Sequence, residues 1–172
     1  MAVDYFLKID GIDGESKQTG HAKELEMDSW SFGETQSGTA ATSHGSAQGK
    51  VTLNEFRFSK PLDISSPKIL VQHLSGKHVK WARFTARRAG SEGGVPTDYL
   101  FVDFGDLVIS QYEISGFGSD GWPYENIAFS YGALKMSYKQ MIKGVAQGAV
   151  SGGYDAEKNT KNVSIPGPPA IK

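Results

Sequence analysis

Over residues 3–9 the apolar side chains Val3, Tyr5, Leu7 and Ile9 share one parity, while Asp4 and Lys8 take the other. A period of two predicts a strand with one buried face. Two Asp/Gly turn signals follow in Asp10-Gly11-Ile12-Asp13-Gly14, and a polar loop runs to about Ala22. In 25–32 the apolar parity changes partway, from Leu25 and Met27 to Trp30 and Phe32, which predicts a bulge near Asp28-Ser29. A matching slip separates Val51 and Leu53 from Phe56 and Phe58. Two such slips point to strands that bend and switch faces, as in a barrel. Between them, residues 33–49 are rich in Gly, Ser, Thr and Ala and have no apolar period. A loop of that length is either a surface excursion or a functional element.

One helix is signalled over about residues 65–75. Ser65-Ser66-Pro67 supplies a cap and a first-turn proline, Ile69, Leu70, His73 and Leu74 share a face, and Gly76 ends it. Further strands are expected at 79–87, 99–104, 107–114, 126–131 and 134–138, with a hairpin turn at Gly105-Asp106. The fold class is therefore mainly β: a small closed or strongly curved antiparallel β-barrel with one flanking α-helix. The last thirty or so residues collect Gly148, Gly152, Gly153, Pro166, Pro168 and Pro169 around Tyr154. That is the composition of a tail rather than of a core. The division is a barrel domain over 1–142 and a Gly/Pro-rich C-terminal extension over 143–172, part of the same domain or a tail.

Composition adds limits. The chain has 172 residues, 38% hydrophobic and 11% aromatic, enough for one packed unit, and its 21 glycines suit many turns. A net charge of -1 offers no global attraction to nucleic acid or an anionic membrane. With no cysteine there is no disulfide, thiolate metal site or cysteine nucleophile. The N-terminus lacks the basic start and unbroken apolar run of about 7–15 residues that a Sec-type signal needs. No uncharged apolar run reaches the roughly 18 residues of a membrane helix, so no membrane insertion is expected.

Catalytic chemistry is hard to find. His21, His44, His73 and His78 form no i, i+4 ligand pair, and no Gly-x-Ser-x-Gly elbow, Walker loop or HExxH motif occurs. No cofactor is implied. A hydrolase built on His21 or His44 would need a nucleophile and base arrangement that the sequence does not display. Charge is uneven: acids dominate 4–34, while 68–88 carries Lys68, Lys77, Lys80, Arg83, Arg87 and Arg88 and no acid. These are either solvated faces or the complementary patches of a head-to-tail contact. Trp122, Tyr124 and Tyr112 leave a different class open, a secreted binding or adhesive module with aromatic stacking platforms.

Phe6-Leu7-Lys8-Ile9, Gly14-Glu15-Ser16, His21, Glu24-Leu25-Glu26, Trp30-Ser31-Phe32-Gly33, Gly49-Lys50-Val51, Ser65-Ser66-Pro67, Gly76-Lys77-His78 and Gly153-Tyr154-Asp155 with Asn159 occur in one order. In that order they closely resemble the haemolysin-coregulated protein (Hcp) family of type VI secretion. The resemblance implies a structural protein, not an enzyme: a homohexamer whose rings stack into a hollow tube inside a contractile sheath. It further implies a spike protein at the tip and secreted effectors carried in the lumen. The subunit would be cytoplasmic during assembly and then secreted without a Sec-type signal. The loop at 33–49 is then expected to reach the adjacent ring, with Gln36, Thr39, Thr42, His44, Gln48 and Lys50 as contact candidates. Lys77, Lys80, Arg83, Arg87, Arg88, Tyr154 and Asn159 are the candidates for subunit interfaces. Ser31, opposite in parity to Trp30 and Phe32, is the candidate for the lumen.

Overall fold

The computed structural model describes residues 3–36, 51–90, 95–116, 118, 121–142 and 145–171. Its strands are β1 (Val3–Ile9), β2 (Leu25–Met27), β3 (Ser29–Ser31), β4 (Glu34–Gln36), β5 (Val51–Leu53), β6 (Phe56–Pro61), β7 (Val79–Arg88), β8 (Thr97–Ser115), β9 (Tyr124–Ile142) and β10 (Val145–Asp155). The helix α1 (Ser66–Ser75) lies between β6 and β7. All pairings are antiparallel. The main sheet runs β2-β1-β7-β8-β9-β6-β3, with β10 added to β9, and β4 and β5 form a separate two-stranded ribbon.

The curvature comes from the expected slip at Asp28. The end strands β2 and β3 follow one another in the chain, separated by that one residue. The Asp28 N–H donates to Ser59 O at 3.0 Å, and there the chain passes from pairing with β1 to pairing with β6. Among the described residues no hydrogen-bonded ladder joins the two ends, so the sheet is strongly curved rather than closed. Inside it lies an aromatic cluster centred on Phe56, whose ring sits 5.0 Å from Phe104 and 5.1 Å from Phe129, with Trp30 4.5 Å from Phe84. Each fully buried ring contributes about 1.5–3 kcal/mol of transfer free energy.

The helix begins and ends where it was signalled, but Ser65 makes no side-chain capping bond and its hydroxyl is bound to Asp63 instead. Pro67 lies in its first turn, and Gly76 ends it in the left-handed conformation, φ 61°, which glycine adopts without steric cost. Its inward face carries Ser66, Ile69, Leu70 and His73, whereas Leu74, expected on that face, is 74% exposed. The helix is anchored through the fully buried Lys60. Its ammonium donates to Glu125 at 2.7 Å, Asp63 at 2.8 Å and the Pro61 carbonyl at 2.8 Å. Ser66 Oγ donates to the same Glu125 oxygen at 2.8 Å, so a helix residue and a β9 carboxylate share one satisfied network.

Three expectations are corrected. The hairpin turn at Gly105-Asp106 does not form: β8 runs through both residues, and the ladder continues from Gly105↔Ala133 to Leu107↔Tyr131. Asp106 takes the left-handed conformation, φ 52°, within the strand, so turn chemistry here produces a kink. Likewise 126–131 and 134–138 are parts of one strand, β9, whose ladder to β8 continues from Leu107↔Tyr131 to Gly105↔Ala133 past Gly132. The second parity slip is a break between β5 and β6, which belong to different sheets. The C-terminal extension divides into a paired strand, β10, and a strap. In the strap, Gly167 lies so close to the Trp81 indole that a Cβ would come within 2.2 Å of it.

Candidate assembly surface

The outer face of β7 carries Trp81, Arg83 and Arg87, all buried. Arg83 is bidentate to Asp103, with Nε to Oδ1 at 2.5 Å and Nη2 to Oδ2 at 2.8 Å, and its Nη1 donates to the Pro169 carbonyl of the strap. Arg87 donates to Asp98 at 2.6 Å and to Thr19 O at 2.9 Å. His21 completes this second group. Its ring stacks on Phe6 at 4.0 Å, and its two nitrogens face Glu24 at 2.8 Å and Asp98 at 3.1 Å. Burial alone would lower the imidazole, yet the two carboxylates outweigh it and raise its pKa above the usual value. Burial would likewise raise Asp98, but hydrogen bonds from His21 and Arg87 bring it down to about 2. The loop and the strap thus cover β7 by accepting hydrogen bonds from Arg87 and Arg83, whose charges are paired with Asp98 and Asp103 inside the subunit.

This placement changes the basic interface expected between Lys77 and Arg88. Arg83 and Arg87 are neutralised inside the subunit, and Arg88 is half-buried at the end of β7. Lys77 and Lys80 are exposed. Tyr154 donates to Asn159 Oδ1, closing the turn after β10, where Asn159 takes φ 51°. Ser31 is exposed at the end of β3, in register with Arg57 and on the face opposite Trp30. Gln36 ends β4; Thr39, Thr42, His44, Gln48 and Lys50 lie outside the described residues. Tyr112 is no stacking platform, since its hydroxyl is bound to the buried Glu125 carboxylate. Trp122 and Tyr124 do remain exposed.

The surface with unmet packing lies elsewhere. The β9–β10 hairpin extends past the end of β8, whose last partner on β9 is Tyr138. Met136, Tyr138, Ile142, Val145 and Val150 are exposed on it, Val150 by 76%. Among the described residues β10 pairs with β9 alone, apart from a bridge between Asp155 and Thr160, so most of its other edge presents unpaired backbone groups. The sequence held one signal for this arm: Met136, Tyr138 and Ile142 share a parity, which the surrounding glycines obscured. Among the described residues no group of three or more His, Asp or Glu side chains is placed to hold a metal, and no helix is long and apolar enough to cross a membrane.

The family profile described as "Type VI secretion system effector, Hcp" matches residues 6–138. The chain belongs to the Hcp family of type VI secretion. It is 35% identical over 153 residues to protein hcp1 of Pseudomonas aeruginosa, spanning 89% of this chain and 91% of that one. Among solved structures it resembles Hcp1 from Salmonella typhimurium, with a TM-score of 0.77 and 34% identity over 94% of this chain and all of that one. A type VI secretion system effector from Yersinia pestis aligns with a TM-score of 0.71 and 32% identity, over 88% of this chain and 99% of that one. The Hcp match spans the helix anchor, the covered face of β7 and the first part of the β9–β10 arm.

Proposed function

We propose that this chain is the structural subunit of a type VI secretion inner tube, assembling as a homohexameric ring whose copies stack. The observation that carries the reading is the β9–β10 arm: a strand edge that, among the described residues, is mostly unpaired beside exposed apolar side chains, on a chain of the Hcp family. An edge of this kind is a liability in a monomer and a joint in an oligomer. The role is structural rather than enzymatic, and buried titratable groups such as Lys60, His21 and Arg83 all lie in internal ion pairs. The tube is assembled in the cytoplasm within a contractile sheath, capped by a spike, and leaves the cell with its effectors. Loop 33–49 reaches the next ring. Native mass spectrometry with negative-stain imaging tests this: a six-fold ring with a central hole is expected. A stable monomer at micromolar concentration overturns it and favours a secreted binding module.

A further inference from the structure

Two places along β9 lie beside groups of opposite charge: its start at Tyr124 and its middle at Lys135. At its start a cleft of about 540 Å³ opens beside Tyr124, lined by Glu15, Glu26, Trp122 and Tyr124, with Lys17 as the one cation among the described residues, and Asp28 lies near enough to hold the Tyr124 phenol above its usual pKa. Asp63 also borders the cleft but is held by Lys60. Glu26 and Asp28 are exposed on the run that joins β2 to β3. Trp122 is 67% exposed, and its indole N–H donates to Leu62 O at 2.8 Å, which fixes the orientation of the ring. A fixed, exposed indole beside carboxylates suits a lysine or arginine side chain.

Farther along β9, about 35 Å of strand at ~3.3 Å per residue, a cleft of about 360 Å³ is lined by Lys135, Lys161, Asn162, Ser151 and Ser164 over the backbone of Gly152 and Gly153. Among the described residues no carboxylate lines it. Asp103, the register partner of Lys135, is already bound by both arms of Arg83. The cleft is shaped by close packing: a Cβ on Gly153 would lie 2.6 Å from Leu134 O of β9 and 3.2 Å from the Val163 side chain, so glycine lets β9 and the Val163 segment close around β10.

We propose that these two places are the two halves of one contact between copies of this chain, the Lys135–Lys161 cleft of one copy receiving Glu26 and Asp28 of the next. Both halves are present on each subunit at separate places, so the contact is head-to-tail and repeats, as rings and stacks require. It rests on the tube reading, since it needs the chain to self-associate, and it names the charged groups that set direction and register. Opposite charge across such a surface steers encounter and rejects the reversed docking.

The test uses the full chain, with sedimentation velocity and negative-stain imaging at low and high salt. Lys135→Glu with Lys161→Glu, and separately Glu26→Lys with Asp28→Lys, are each expected to weaken self-association by roughly a hundred-fold or more, with unchanged circular dichroism. Mixing the two variants recreates opposite charges at every joint, so assemblies of alternating copies are expected to return. Double variants that both assemble like the wild type overturn this contact and leave the tube reading standing. Loss without recovery in the mixture also overturns the pairing, and a wild-type chain that stays monomeric overturns both readings.

Discussion

The outer face of β7 and the β9–β10 arm are opposites. The β7 face carries the cationic side chains that look most like an interface in the sequence, yet Arg83 and Arg87 are buried against Asp103 and Asp98 beneath the strap and the 13–24 loop. The arm carries few charges, lies in a Gly-rich stretch, and leaves five large apolar side chains in solvent. Buried charge must find a partner within the fold, because an unpaired ion in a low-dielectric site is costly. Exposed apolar surface carries no such penalty at home and gains only when a neighbour covers it. Charge density along the chain therefore pointed inward here, and apolar exposure points outward.

The sharpest test of the inward half is Arg83→Ala, which strands the buried Asp103 carboxylate. It is expected to destabilise the monomer by about 3–5 kcal/mol in urea unfolding, whereas Arg83→Met with Asp103→Leu should recover most of the loss. Gly167→Ala acts on the strap. With φ at 116° and Trp81 within 2.2 Å of the new Cβ, a loss of about 1–3 kcal/mol is expected, with a shift in Trp fluorescence as the indole is uncovered.

The His21 group adds a pH dependence whose sign follows from its shifts. His21 is raised in the fold, so its contribution is complete below the ordinary histidine value of 6.5 and is lost as pH climbs through the raised one. Asp98 is lowered, so its contribution is complete above the ordinary value of 3.8 and is lost as pH falls toward about 2. Thermal unfolding should therefore show a plateau between these limits. His21→Phe should lower the plateau and remove the alkaline limb; an unchanged limb in that variant would sink the assignment. The smallest effect on the monomer belongs to the arm. Val150→Ser is expected to change urea stability by less than about 0.5 kcal/mol while reducing ring formation in native mass spectra.

Local chemistry was legible wherever it was also decisive. The strand at β1, the proline and terminal Gly76 of α1 and the slip at Asp28 each appear in the fold where the residue pattern put them, whereas Ser65 forms no side-chain cap and Phe6, opposite in parity to Leu7, is buried as well. Gly105-Asp106 misled because a left-handed residue serves a turn or a kink equally well, and the outcome depended on whether a strand stood opposite. Strand β10 stayed hidden because glycines at 148, 152 and 153 erase the alternation, although at Gly153 the glycine is what permits close approach of Val163.

By itself the sequence determined a β-rich chain with one capped helix, a switch of faces at Asp28 and, through its ordered match, the Hcp family. Those features depend on neighbours a few residues apart or on residue order, and both are written along the chain. Only the tertiary structure decided which cations meet acids inside the subunit, which apolar side chains stay uncovered, and that the start and the middle of β9 lie beside groups of opposite charge. Each of those outcomes depends on which distant segments come together in space: Arg83 with Asp103 and Pro169, Lys135 with Lys161, and Asp28 with Tyr124. Spacing along the chain does not encode that meeting, and burial, which sets the strength of every such pair, exists only once the sheet has curved.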